Sequence, residues 1–266
     1  MESWQESTER PDGRARVLLA EDNPVNQTLV VRILGKLGYG VDVAGNGREA
    51  VEAATRHAYG VVLMDCQMPE MDGYQATAEI RLREGASRHT AVVAMTASAL
   101  PEDRERCLAA GMDDYVSKPI SVDDVKRVLA QWLPEDDGAA PASAPPKPSP
   151  ETAGPAHPGS IWQADPAGKV PPLLAKLVAI FMSSAPADVA GLRAAFERKD
   201  ATAVRRAAHR LRGAALTLGL TGMAEVCEEL ETLRSCAPAS ARSLVQRLEE
   251  ELDAASSALD AIVPAR

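Results

Sequence analysis

Asp65 closes the apolar run Val61-Val62-Leu63-Met64 and leads into Cys66-Gln67-Met68-Pro69-Glu70-Met71-Asp72-Gly73. A short apolar run bounded by turn residues predicts a strand buried on both faces. A carboxylate at the carboxyl end of such a strand falls in the crevice where open parallel sheets bind ligands. The chain repeats that placement. Val17-Leu18-Leu19-Ala20 runs into Glu21-Asp22, Ala91-Val92-Val93-Ala94-Met95 runs into Thr96, and Tyr115-Val116 runs into Ser117-Lys118. Three acids, a hydroxyl and a lysine thus gather along one sheet edge. Any one of them alone reads as a polar residue ending its strand, whereas four coincident strand ends read as a site.

The residue types point to phosphoryl chemistry. Glu21, Asp22 and Asp65 form a hard oxygen cluster suited to a partly hydrated Mg2+. Without a cation, carboxylates this close repel one another. Lys118 adds a point positive charge and Thr96 a hydrogen-bond donor. Such parts suit a phosphoryl group, whose transfer depends on positioning and charge neutralisation. Asp65 is the expected nucleophile, becoming an aspartyl phosphate.

At Glu21-Asp22-Asn23, Met64 through Gly73, Thr96-Ala97 and Lys118-Pro119, the chain resembles the receiver domain of two-component signalling. The resemblance is closest to receivers carried by hybrid sensor kinases, and it covers residues 15–134. It implies that Asp65 is the phosphoacceptor and that Glu21 and Asp22 hold Mg2+ with the backbone carbonyl of Gln67. It further implies that Thr96 and Lys118 grip the phosphoryl oxygens, with Tyr115 a switch aromatic reorienting with Thr96. A cis peptide between Lys118 and Pro119 is also implied; the sequence alone says only that an X-Pro bond makes one affordable.

The elements that must position these residues are legible as periods. Leu29, Val30, Ile33, Leu34 and Leu37 give a helical stripe stopped at Gly38. Tyr39 through Val43 reads as a second strand. Glu49, Ala50, Ala53 and Ala54 lie on a small-residue helix, Tyr74 through Arg83 on one opened by Gly73, and Val125, Val128, Leu129 and Trp132 on a last one; Gly111 ends the helix before the final strand. The alternation predicts an α/β fold, a flavodoxin-like doubly wound five-stranded parallel sheet in the order 2-1-3-4-5.

The 266 residues suffice for two domains, and 45% apolar content with nine aromatics predicts cores of Leu, Val, Ile and Ala. Cys66, Cys107, Cys227 and Cys236 show no C-x-x-C pairing, which suits a reducing cytosol. Cys66 beside the nucleophile could act as a redox switch, but a packing role is the commoner one for a free cysteine. No run approaches 18 apolar residues and the polar start lacks a signal-peptide core, so a cytoplasmic protein without direct membrane insertion is expected. The net charge of −9 falls wholly within residues 1–160, and residues 161–266 balance. No basic field or helix-turn-helix segment offers nucleic acid a surface.

From Glu135 to Ser160 the chain is dominated by Asp, Gly, Ala, Ser and Pro, predicting a disordered linker over 135–160. Its 26 residues would span about 28–30 Å as a coil, enough to raise local concentration to about the millimolar range. His157 within it is expected to be idle. Beyond it the period is helical. Leu174, Leu177, Val178 and Phe181 form one stripe, and Val189, Leu192 and Phe196 a second. Met223, Val226, Leu230 and Leu233 form another, followed by Leu244, Leu248, Leu252, Ala255 and Leu259. Pro186, Asp200, Gly219 and Pro238 punctuate these segments, predicting an all-α antiparallel helical bundle over 161–264.

Within the helix from about Ala201 to Leu218, Val204, Ala207, Ala208, Leu211, Ala215 and Leu218 share the inward face. His209 is predicted to point nearly opposite, into solvent, beside Arg205, Arg206, Arg212 and Gly213. Arginines can hold phosphoryl oxygens, and a glycine one turn away admits a partner closely. The competing reading is an ordinary surface histidine in a basic stripe. Ala208-His209-Arg210-Leu211-Arg212-Gly213-Ala214-Ala215, followed by Leu218-Gly219, is similar to the phosphoacceptor helix of histidine phosphotransfer domains. That resemblance implies His209 as a second phosphoacceptor, supported by Arg212 and Gly213, with Arg212 standing where lysine is usual.

Together these readings predict a phosphorelay protein exchanging a phosphoryl group between Asp65 and His209. An upstream sensor histidine kinase is the expected donor and the receiver of a downstream response regulator the expected acceptor. The chain shows no nucleotide-binding glycine motif, so it is not expected to be an ATP-binding kinase. A phosphatase of the haloacid-dehalogenase type would want an acid where Gln67 stands. The main alternative is a binding module switched by Asp65 phosphorylation, with the bundle as docking platform. The tail of a longer hybrid kinase is a third, against which the initiator-like Met1 weighs weakly.

Overall fold

The computed structural model describes residues 15–97, 101–133, 170–233 and 239–262, and these belong to two compact units. The expected linker over 135–160, with His157, lies outside the described residues, as does Cys236.

The first unit is a five-stranded sheet in the order β2-β1-β3-β4-β5, built from β1 (Val17–Ala20), β2 (Val41–Ala44), β3 (Val61–Asp65), β4 (Ala91–Thr96) and β5 (Asp114–Ser117). Every pairing is parallel. β1, β3 and β4 are buried along their whole length, as a parallel sheet with both faces covered requires. The covering helices are α1 (Pro24–Lys36), α2 (Gly47–Arg56), α3 (Gly73–Glu84), α4 (Pro101–Ala109) and α5 (Val122–Trp132).

Local chemistry sets where these elements begin. Asn46 caps α2 by accepting from the Glu49 N–H, and Asp72 with Gln75, like Ser121 with Asp124, closes a reciprocal capping box on α3 and α5. β2 starts at Val41, two residues later than expected. Gly38 adopts a positive φ of 82°, and the Tyr39 N–H turns back to the Leu34 carbonyl. That helix-ending motif uses the group Tyr39 would have given to the sheet.

The second unit is all helical: α6 (Pro172–Glu197), α7 (Ala201–Leu218), α8 (Thr221–Glu231) and α9 (Ala239–Ile262). Each helix packs on the next, and α9 also meets α6. Leu177, Phe181, Leu192, Leu211, Met223 and Leu230 are fully buried between them. The two stripes expected to be separated by Pro186 lie on one continuous helix, α6, with Pro186 inside it. A proline costs its helix one hydrogen bond and a steric clash. Pro186 is exposed, while Ala185 and Val189 on either side of it are buried, so core packing holds the helix through the defect. α6 is long and apolar enough by composition to cross a membrane; here it carries Lys176, Asp188 and Arg193 and packs on α7 and α9.

Candidate functional sites

The parallel register brings the carboxyl ends of β1, β3, β4 and β5 together. Asp65 and Thr96 are the last residues of β3 and β4, so the ladder fixes both backbones. Glu21 and Asp22 follow β1, and Lys118 follows β5. One oxygen from each of Glu21, Asp22 and Asp65 lies within 4.8 Å of the others. Glu21 and Asp65 are each 1% exposed, and Asp22 is half-buried.

Lys118 closes the cluster. Its Nζ stands 2.7 Å from Glu21 Oε2 and 2.7 Å from Asp65 Oδ2. Burial disfavours its charge, but the Asp65 and Glu21 carboxylates outweigh that and raise its pKa. The other Asp65 oxygen, Oδ1, accepts the Gln67 N–H at 3.1 Å. Asp65 is therefore held at both oxygens. Counted as ionised, three carboxylates against one ammonium leave an excess of negative charge that a divalent cation would neutralise. The all-oxygen donor set fits Mg2+.

The loop after Asp65 is tightly built. The Gly73 N–H donates to the Cys66 carbonyl at 3.1 Å, and a Cβ on Gly73 would meet the Asp65 carbonyl oxygen at 2.1 Å. Only glycine fits that approach. On the opposite strands, the Lys118 N–H donates to the Thr96 carbonyl at 2.7 Å. The Lys118–Pro119 bond is cis. Tyr115 lies on β5 across from Ala94, with Thr96 across from Ser117. Its ring is half-buried against the core under the sheet.

In the second unit the site is built on α7, capped by Asp200 on the Ala203 N–H and ended at Gly219, where φ is 73°. His209 is not turned to solvent as the helical wheel predicts: it is 5% exposed. Within the bundle, α8 lies beside it. Glu231 Oε1 lies 3.4 Å from His209 Nδ1. Arg212 reaches Glu231 at 3.2 Å and Glu228 at 3.1 Å. Arg205 donates to the Leu233 carbonyl just beyond α8. Gly213 is also buried, and of the basic residues around His209 only Arg206 is exposed.

Glu231 is the residue that sequence reasoning missed. A carboxylate beside Nδ1 orients the ring. A signal was present: Glu228 and Glu231 stand three apart on the helix following His209, sharing one face that Arg212 can bridge.

A family profile for the response regulator receiver domain matches residues 17–130, and one for the Hpt domain matches residues 176–258. The chain is similar to the sensor protein GacS of Pseudomonas syringae pv. syringae, 36% identical over 227 residues, covering 82% of this chain and 24% of that protein. It is also similar to a probable histidine kinase 1 of Oryza sativa subsp. indica, 37% identical over 151 residues, covering 46% of this chain and 16% of that one. The chain thus spans a quarter or less of the length of these two relatives. Among solved structures it is similar to the receiver domain of the sensor histidine kinase PA1611 from Pseudomonas aeruginosa PAO1, crystallised with a magnesium ion in its active-site cleft. That similarity has 47% identity, 45% coverage of this chain, 98% of that one, and a TM-score of 0.42.

Proposed function

Since this chain carries a response regulator receiver domain followed by an Hpt domain, we propose that it acts in a phosphorelay, taking a phosphoryl group on Asp65 and exchanging it with His209. The observation that carries the reading is the buried cluster in which Lys118 meets both Asp65 and Glu21. Asp65 forms an oxygen–phosphorus bond as the donor's bond to phosphorus breaks. Lys118 meets the incoming negative charge and Thr96 lies beside it, the arrangement that phosphoryl transfer needs. In the second step a ring nitrogen of His209 bonds to phosphorus while the Asp65 oxygen–phosphorus bond breaks, and the carboxylate is regenerated. Glu231 stabilises the charge left on the ring.

Glu21, Asp22, Asp65 and the Gln67 carbonyl would hold Mg2+, which when bound neutralises the charge gathered at the site. A sensor histidine kinase is the proposed donor and a downstream receiver the proposed acceptor, in the cytoplasm and without nucleic acid. Thr96 and Tyr115 are the proposed switch pair. Arg212, Gly213, Arg205 and Arg206 are the proposed surroundings of phosphohistidine. The burial of His209 favours a second reading, a switched binding module in which the bundle is only a docking platform.

One experiment separates the two. The full chain is labelled with acetyl phosphate and Mg2+, and the label is mapped as acyl phosphate or acid-labile phosphohistidine. The relay reading expects both in the wild type, neither in Asp65→Asn, and acyl phosphate alone in His209→Gln. Wild-type chain that never acquires phosphohistidine leaves the binding-module reading standing. Undiminished labelling of Asp65→Asn defeats both.

A further inference from the structure

Three of the four cysteines are described, and all three are buried. Two of them face each other. Cys66, the residue after the phosphoacceptor, and Cys107 on α4 bring their Sγ atoms to 3.9 Å. Both backbones are held. The Cys66 N–H donates to the Met95 carbonyl and its carbonyl accepts from Gly73, while the Cys107 carbonyl accepts from the Met112 N–H. The pair therefore meets because rigid elements aim it, not because a loop drifted there. A disulfide has a sulfur–sulfur bond of about 2.05 Å, so side-chain rotation with a small approach of α4 would close it.

Both cysteines are covered, Cys66 at 3% and Cys107 at 2% exposure. Half-buried Tyr74 lies against the core cluster containing both thiols, and the exposed Arg106 guanidinium sits 4.7 Å from its ring centroid. Turning Tyr74 and Arg106 aside is what a small oxidant needs to reach the sulfurs. The thiols are alike in this: the hydrogen bond with Cys107, then burial, raises the Cys66 thiol well above its usual value, and in the bundle burial, followed by Glu231, pushes Cys227 up to about 12.

We propose that Cys66 and Cys107 are a modification site, a dithiol that hydrogen peroxide or a similar two-electron oxidant converts to a disulfide, tying α4 to the loop that carries Asp65. Peroxide oxidises one thiol to a sulfenic acid, releasing one water. The second thiol displaces hydroxyl from that sulfur, forming the disulfide and a second water. The two sulfurs lose two electrons and the peroxide oxygen–oxygen bond is broken. The bond would bridge positions 41 residues apart, with α3 and β4 between them. Closing the bond loads the Cys66 backbone between Asp65 and Gln67, so the disulfide form loses labelling at Asp65. This second half rests on the proposed role of Asp65.

The test uses the full chain with Cys227 and Cys236 replaced by serine. After peroxide, blocking of free thiols and proteolysis, a peptide joining Cys66 to Cys107 is expected, lost on treatment with dithiothreitol. Absence of that peptide, or oxidation of the two cysteines to separate acids only, overturns the proposal. Acetyl phosphate labelling should be lost in the peroxide-treated chain and return on reduction. Cys107→Ser, with Cys107→Ala as a second variant should serine disturb the core, should label equally before and after peroxide. A linked peptide with unchanged labelling overturns the regulatory half. Failure of the reduced chain to label counts against the Asp65 reading instead, and the linked peptide still decides the pair.

Discussion

Asp65 gives its two oxygens to different neighbours, Oδ2 to Lys118 and Oδ1 to the Gln67 N–H, and this division sets what each substitution does. Removing one partner of a buried ion pair strands the other, at a cost of about 3–5 kcal/mol. Lys118→Ala leaves Glu21 and Asp65 facing each other, so it should lower stability by about 3 kcal/mol without divalent ions. Mg2+ should restore part of that loss, as urea denaturation with and without the ion would show. Labelling of Asp65 should fall in the same variant. At the other site Glu231→Ala should leave Asp65 labelling intact and slow the appearance of phosphohistidine, measured as a time course on the full chain. Unchanged phosphohistidine kinetics would remove Glu231 from the mechanism. Asp65 and its acid partners were legible because strand ends declare themselves in sequence. The burial of His209 was not, because a helical wheel knows only its own helix. Glu231 enters from the next one.

At the scale of elements, β1, β3 and β4 were readable from apolar runs of four or five residues bounded by polar ones, and the strand order from the alternation with helices. Their last residues were less so: Asp65 and Thr96 belong to the ladders rather than to the loops beyond them. The misreading at Pro186 has the same origin as that at His209. Proline breaks an isolated helix, yet α6 buries Leu177, Val178, Phe181, Val189 and Leu192 on both sides of it, and that tertiary gain exceeds a local penalty of about 3 kcal/mol. Pro186→Ala should therefore stabilise the bundle by about 1–3 kcal/mol, read as a higher urea midpoint by circular dichroism. A lower midpoint would mean the ring makes packing contacts that matter.

At the scale of the whole molecule, two units with separate cores place one proposed acceptor in each. A relay built this way should work between chains as well as within one. His209→Gln chain labelled at Asp65, freed of donor and mixed with Asp65→Asn chain, should pass acid-labile label to the second variant. Mixing should transfer nothing when both chains carry His209→Gln. Transfer confined to the wild-type chain would restrict the exchange to a single molecule.

The aromatic residues divide between the units in a way that has an optical consequence. All four tyrosines (Tyr39, Tyr59, Tyr74, Tyr115) lie in the first unit, as does Trp132 at the end of α5, and no tryptophan or tyrosine follows Trp162. The four helices of the second unit consequently contribute no tyrosine or tryptophan signal. Light absorbed and emitted by the intact chain comes from the sheet-bearing half and the segments outside the helices of the bundle. A phosphoryl group arriving beside Tyr115 can therefore be watched by intrinsic fluorescence in the full-length protein, while its departure to His209 registers as the return of the original spectrum.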